Sequence, residues 1–324
     1  MKAVLLLNGF NMYKRSKIAV SIPAYNEESL IRKTLEAIPS LVDLIVVVDD
    51  KSKDKTVDEI KKCIKKDRRI HLIVSKNNIG LGGTVIKAHQ FAIEKNVDII
   101  VVMAGDNQMD SSYLPLLLDA VIEDRVDLAK GNRFFHRQDL KKMPVFRIIG
   151  NIFLTFVSKF CTGYWSISDP INGYTALKAE TFKKIDVSRI SSRYGFEPSL
   201  LIELSLISAK VKDVFIPARY GDEISKVNLF KDPFWVVKTF LNGYLIRIFL
   251  KYTLYNFHPI ALFYGTGFLF SFTGFLFGIY IAFNSLLLHK IATPATVVLF
   301  VVPFLLGVQL ILQAIVLDIQ NEPK

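Results

Sequence analysis

Two stretches late in the chain, Pro259 to Leu288 and Ile291 to Leu317, contain no charged residue. Each exceeds the ~20 apolar residues that cross a bilayer core. Asn284 to Ala292 is a short connection, so the pair reads as a transmembrane hairpin with spans at about 259–285 and 292–317. Two adjacent buried helices of a soluble core are the alternative, and the lengths speak against it. A hairpin leaves both flanks on one side, which the positive-inside tendency makes cytoplasmic, although a large domain weakens that rule. From His258 onward only Lys290, Asp318, Glu322 and Lys324 are charged, and they cancel. The net charge of +11 therefore lies in residues 1–257. A basic part of this kind suits nucleic acid, an anionic membrane face or phosphorylated substrates, and the apolar spans point away from nucleic acid. Val4–Leu7 is too short for a signal-peptide core, and residues 1–17 are expected to form a poorly ordered arm. Cys63 and Cys161 support no disulfide framework, and no Cys/His cluster has zinc spacing.

Residues 18–229 alternate short apolar runs with helical patterns. Strands are expected at 18–23, 44–48, 70–74, 99–103, 128–134, at a short run ending at Leu177, and at 211–217. Helices are expected at 29–38, 56–66, up to Lys95, 143–160 and 198–208. This order predicts an α/β domain with a mostly parallel sheet. The clusters Tyr25-Asn26-Glu27, Asp49-Asp50 and Gly105-Asp106-Asn107-Gln108 all follow strands, where such a sheet opens its ligand crevice.

The sharpest cluster is the last. Asp106 and Gln108 are oxygen ligands two residues apart, the chemistry of a divalent cation whose shell phosphates complete. A solvated strand end is the plainer reading. Asp49 and Asp50 either cap the next helix or accept from ribose hydroxyls or a base edge. Gly80, Gly82 and Gly83 permit close backbone approach but form neither G-x-G-x-x-G nor a P-loop. Arg147 and Asn151 are one turn apart and share a helix face. Arginine suits phosphate because its fork gives two parallel bonds.

The segment 230–256 is aromatic-rich. Lys231 and Lys238 share a helical face, whereas Lys238 and Arg247, nine apart, fall on opposite faces. A break at Asn242-Gly243 is therefore expected, giving two short amphipathic helices in the headgroup region or packed on the soluble domain. Gly265, Gly267, Gly274 and Gly278 offer small-residue contacts for a homo-oligomer.

Taken together, Ile22-Pro23-Ala24-Tyr25-Asn26-Glu27, Val48-Asp49-Asp50-Lys51-Ser52, Gly105-Asp106-Asn107-Gln108-Met109-Asp110, Gly131-Asn132-Arg133-Phe134, Asp169-Pro170-Ile171-Asn172-Gly173-Tyr174 and Arg219 through Lys226 resemble the family 2 inverting glycosyltransferases. More narrowly, they are similar to the polyprenyl-phosphate branch that contains dolichol-phosphate mannose synthases and undecaprenyl-phosphate glucosyltransferases. The resemblance implies a GT-A (Rossmann-like) domain at 18–229, juxtamembrane helices at 230–257 and two transmembrane helices within 258–320. It implies transfer of a sugar from a UDP- or GDP-linked donor to a polyprenyl monophosphate at the cytoplasmic face of the cell membrane. Pro23, Tyr25, Glu27 and Asp50 would hold the base and ribose. Asp106 and Gln108 would bind Mg²⁺ or Mn²⁺, and Arg133, Arg147 and Asn151 would grip the lipid phosphate. Asp169 falls where the family places an acid near the reacting centre. Arg219, Ser225 and Lys226 would close over the diphosphate. One departure matters: the family's metal motif is usually Asp-x-Asp, and its first position here is Ala104. A glycosyltransferase for another membrane lipid and an inactive membrane scaffold of the same fold are the alternatives.

Overall fold

The computed structural model describes residues 5–7, 10–134, 145–193, 195–217, 231–289 and 291–324. The chain forms two compact units, one up to Gly243 with the last two residues, the other Tyr244–Glu322.

The first unit is built on a sheet of seven strands: β3 (Ile18–Ala24), β4 (Leu44–Asp49), β5 (Ile70–Val74), β6 (Ile99–Val102), β7 (Leu128–Asn132), β8 (Thr175–Lys178) and β9 (Val211–Phe215). Their spatial order is β5-β4-β3-β6-β8-β7-β9. The apolar runs expected as strands all enter this sheet. β4 is buried at every position and β3 at all but one, which is why both read as unbroken apolar runs rather than alternating ones. β5 and β9, at the two edges, are only partly buried. β3–β4, β4–β5, β3–β6 and β7–β9 pair parallel, while β8 runs antiparallel between β6 and β7.

The chain winds outward through β3, β4 and β5, then returns to place β6 on the other side of β3. That reversal opens a crevice at the carboxyl ends of β3 and β6. Because β8 is antiparallel, the segment entering it, Asp169–Tyr174, lies at the same edge of the sheet as the segments leaving β3, β6 and β7. Apolar side chains pack on both faces of the sheet. Leu114, Leu117, Leu118 and Ile60 are among those on one face, and Ala88, Ala92 and Val97 among those in a separate cluster.

Within the stretch expected as a poorly ordered arm, β1 (Leu5–Leu7) and β2 (Phe10–Met12) pair antiparallel. The Tyr13 hydroxyl donates to Asp119 (2.8 Å), and Lys14 pairs with Asp119 and Glu123.

The expected break at Asn242-Gly243 does not occur. One α-helix runs Lys231–Arg247 and continues as a π-helix over Ile248–Tyr255. Gly243 serves contact instead: a Cβ there would collide with the Ile202 side chain.

In the second unit, helices Pro259–Leu288 and Pro294–Gln320 are long and apolar enough to cross a membrane, and both remain largely exposed. Their starts are local. His258 accepts from the Ile260 amide ahead of Pro259, and Thr293 accepts from the Thr296 amide ahead of Pro294, with proline at the helical position that needs no donor. The glycines expected to join copies are spent inside this hairpin. A Cβ on Gly267 would meet Ile311 and Gly307, one on Gly274 would meet the Phe304 backbone, and one on Gly278 the Phe300 ring. Only Gly265 of the four faces open space. Arg247, on the face opposite Lys238, is buried. It donates from Nη1 and Nη2 to the two carboxylate oxygens of Asp318 (2.9 and 2.8 Å), and both side chains are 1% exposed.

Candidate active site

The donor side is assembled from the loops leaving β3 and β4. Asn26 takes a left-handed backbone (φ 54°), a conformation asparagine tolerates. Its amide donates to Ser52 Oγ (3.0 Å), and its side-chain oxygen accepts from the Lys53 amide (2.8 Å). Next to it, the Glu27 amide donates to Thr56 Oγ1 (2.8 Å). The two loops are thus laced together, and Tyr25 projects from them, 39% exposed.

The acid pair divides its work. Asp50 accepts from the amides of Ile79 (2.6 Å) and Gly80 (2.9 Å), so it anchors the start of helix Gly80–Glu94 rather than the next helix in sequence. Asp49 accepts from the Ser52 amide through Oδ2 (3.0 Å), while its buried Oδ1 has no hydrogen-bond partner among the described residues. The glycines at the start of that helix are explained by packing. Gly80 has φ +79° and, like Gly82, lies where a Cβ would strike the backbone of 191–192.

Asp106 lies across the crevice. A Cβ on Gly105 would come within 3.3 Å of the Pro23 carbonyl oxygen and 3.6 Å of Glu27 Cγ. The loop is shaped by Asn107 at φ 58°, by the Asp106 carboxylate accepting from the Gln108 amide (3.1 Å) and by Thr34 Oγ1 donating to the Gly105 carbonyl (3.0 Å). Asp106 is half-buried and Gln108 exposed. Among the described residues no group of three or more His, Cys, Asp or Glu is placed to hold a metal ion. One carboxylate and one amide oxygen, both hard donors, suit a magnesium-type ion that keeps water and phosphate in its shell.

On the far side of β6, Arg133 and Asp169 form a two-pronged pair. Arg133 Nε donates to Oδ2 (2.7 Å) and Nη2 to Oδ1 (3.0 Å), and the Arg133 amide also donates to Oδ2 (3.2 Å). Asp169 is buried, while the arginine reaches partly into solvent. Beneath them is a group that sequence reading missed. Buried Lys130 donates to the Asn172 carbonyl. Asp213 accepts from the Ser168 amide (2.7 Å) and from Asn132 Nδ2 (2.8 Å). Glu197 lies close by, its Oε1 3.3 Å from where a Gly173 Cβ would be. Burial pushes Lys130 below the usual lysine range and Glu197 above the usual carboxylate range. Burial also pushes Asp213 up to about 6, against the amide bond from Ser168 and the charge of Lys130. The signal was present: Lys130 and Asp213 are charges inside strand-forming runs, which a half-buried strand does not need.

Helix Val145–Thr162 carries Arg147 and Asn151. Asn151 is half-buried, and the Arg147 side chain lies outside the described residues. Thr155 Oγ1 ties the helix to the Ser168 carbonyl (2.8 Å), directly before Asp169. Arg219, Ser225 and Lys226 also lie outside the described residues. The structure therefore sets Gly105, the residue before Asp106, against Pro23 and Glu27, and joins Arg133 to Asp169.

Comparison with known proteins bears on the family and the fold. The chain is 32% identical over 215 residues to an uncharacterized protein of Methanocaldococcus jannaschii, covering 65% of this chain and 85% of that one. It is 28% identical to the undecaprenyl-phosphate mannosyltransferase of Micrococcus luteus, covering 64% and 86%. It is 29% identical to the dolichol-phosphate mannosyltransferase of Pyrococcus furiosus, covering 63% and 56%. Among solved structures it is similar in fold, at TM-score 0.55 and 18% identity, to the glucosyl-3-phosphoglycerate synthase of Mycobacterium tuberculosis determined with Mn²⁺, UDP-glucose and phosphoglyceric acid, over 71% of this chain and 80% of that one. Residues 19–186 match the family model described as glycosyl transferase family 2. The sheet reversal, the crevice loops and this match converge: the chain is a GT-A-fold glycosyltransferase and belongs to glycosyl transferase family 2.

Proposed function

We propose that the chain transfers a sugar from a nucleotide-sugar to a polyprenyl monophosphate, with inversion, at the cytoplasmic face of the cell membrane. The carrying observation is the arrangement on one sheet edge. Gly105, next to Asp106, packs against the Pro23–Glu27 loop, and Arg133, held by Asp169, stands on the same edge, in a chain with two helices of bilayer length. The names of the relatives from Micrococcus luteus and Pyrococcus furiosus support the lipid acceptor.

In this reading an oxygen of the acceptor phosphate attacks the anomeric carbon. The bond from that carbon to the diphosphate oxygen breaks, and a nucleoside diphosphate leaves. Pro23, Tyr25 and Glu27 line the base and ribose, and Asp50 supports them by fixing the start of the neighbouring helix. Asp106 and Gln108 would hold Mg²⁺ or Mn²⁺, whose chemistry there is Lewis-acid stabilisation of the diphosphate. Arg133, Arg147 and Asn151 bind the acceptor phosphate, and Arg219, Ser225 and Lys226 meet the diphosphate. A phosphate is already largely ionised at neutral pH, so no strong base is needed. Asp169 orients Arg133 instead of removing a proton.

The test is a panel of UDP- and GDP-sugars with the full chain and polyprenyl phosphate, reading lipid-linked product by mass. A mass increase of one hexose or N-acetylhexosamine on the intact lipid phosphate is expected. A sugar joined to a lipid without phosphate would overturn the acceptor assignment. Asp106→Ala is expected to abolish transfer while leaving thermal unfolding unchanged; full activity in that variant would remove the metal role.

A further inference from the structure

Helix Val145–Thr162 turns a bare apolar stripe outward. Ile149, Ile152, Phe153 and Phe156 are 62%, 65%, 56% and 63% exposed, and their spacing puts them on one face. The opposite face is well used: Leu154, Ser158, Cys161 and Thr162 are buried. Helix Lys231–Arg247 also exposes Phe234, Trp235 and Leu241, whereas an ordinary solvent face looks different. Helix Thr56–Ile64 shows solvent Asp58, Lys61 and Lys62. Soluble surfaces rarely keep large apolar side chains contiguous unless something covers them.

The charge of the segment that carries the stripe points to the cover. Between Leu140 and Ser168 there is no Asp or Glu, and the charged residues are Lys141, Lys142, Arg147 and Lys159. An apolar face with phenylalanines, in a segment whose only charged residues are cations, has the composition of a helix lying in the headgroup layer of an anionic bilayer. A symmetric contact with a second copy would bring those same cations together with no acid to meet them. A bilayer is also at hand, since the same chain carries two helices long and apolar enough to cross one.

We propose that helix Val145–Thr162 is a third membrane contact, with Ile149, Ile152, Phe153 and Phe156 seated at the boundary between headgroups and acyl chains of an anionic bilayer. At 18 residues the helix lies in the interface and does not span it. This placement does not depend on the acceptor assignment, so either can fail without the other.

Cys63 and Cys161 are buried, so an NBD label goes selectively to a new surface cysteine. The full chain bearing Ile152→Cys or Phe153→Cys is labelled in vesicles of phosphatidylcholine and phosphatidylglycerol, with Lys61→Cys as the aqueous reference. NBD at 152 or 153 is expected to shift to the blue and to lose fluorescence to spin-labelled acyl chains but not to iodide. The Lys61→Cys label should show the reverse. Iodide quenching at 152 and 153 equal to that at 61 would overturn the proposal. So would shielding from both quenchers, which marks a protein partner or a second copy on the stripe. The two positions are labelled separately, so a folding defect in one variant leaves the other to decide.

Discussion

The acid at position 169 is held against its neighbour. Asp169 gives both oxygens to Arg133 and is buried behind it. A charge-assisted hydrogen bond is worth about 1.5–3 kcal/mol, so Asp169→Asn is expected to lower sugar transfer by about 10- to 100-fold. Because Arg133 is the group that meets the acceptor in the proposed reaction, the loss should appear first as a raised KM for the lipid. Steady-state kinetics against varied lipid phosphate check this; an unchanged KM with reduced kcat would give the carboxylate a direct part in the chemistry. Asp213 makes a separate prediction. Its carboxyl is pushed up to about 6 from 3.8 by burial, so it is harder to ionise in the folded chain than in the unfolded one. Its contribution to stability is therefore best at low pH and is lost as pH rises through the interval from the unfolded value to about 6. Asp213→Asn should flatten that part of the stability profile, measured as thermal midpoints at pH 4.5 and 7. At this scale the sequence displayed what stands at strand ends, because small residues beside acids and amides break an apolar run visibly. It hid what supports them. Asp50 reads as a ligand from its place after a strand, and no local pattern shows that it also fastens the amides of Ile79 and Gly80. The Lys130 group depends on strands β7, β8 and β9 meeting, a non-local event that no local pattern encodes.

Elements were legible in proportion to how much their own residues decide them. β3, β4 and β6 are central and apolar, so their runs announce them. The antiparallel placement of β8 was not legible, since a four-residue strand carries no sign of its partners. The misreading of Asn242-Gly243 has a similar cause. Glycine weakens a helix intrinsically, and opposed cations at 238 and 247 point to a break in a single interfacial helix. The glycine is there because the helix passes against Ile202, and Arg247 faces elsewhere because Asp318 receives it. Gly243→Ala should therefore destabilise the chain despite alanine's higher helix propensity. Overpacking of this kind costs about 1–3 kcal/mol. Thermal unfolding in detergent tests the sign: a gain in stability would mean that the helix, not the contact, governs this position. Ile202→Ala in the same chain should make room and recover part of the loss.

For the molecule as a whole, the uneven division of charge sets the terms. The net +11 lies in residues 1–257, while the hairpin that follows is nearly uncharged. Asp318 is the exception. It sits in the last turns of helix Pro294–Gln320, buried, with Arg247 on both its oxygens and the Tyr252 hydroxyl as a further donor. The pair closes the hairpin at its open end: it links the segment entering the first apolar helix to the segment leaving the second. An ionisable residue in a membrane helix is costly unless partnered, so each member depends on the other. Removing one partner of a buried pair costs about 3–5 kcal/mol, whereas replacing both with apolar groups of similar size is often neutral. Arg247→Met and Asp318→Leu should each lower the unfolding temperature of the detergent-solubilised full chain, and the double variant should be more stable than either single one. If the two losses simply add, the pair contributes as two separate polar groups, and the hairpin is held by the close packing of Gly267, Gly274 and Gly307 against the facing helix. A double variant that unfolds near the temperature of the parent protein would instead show that the bond fixes where the hairpin ends meet without supplying net stability.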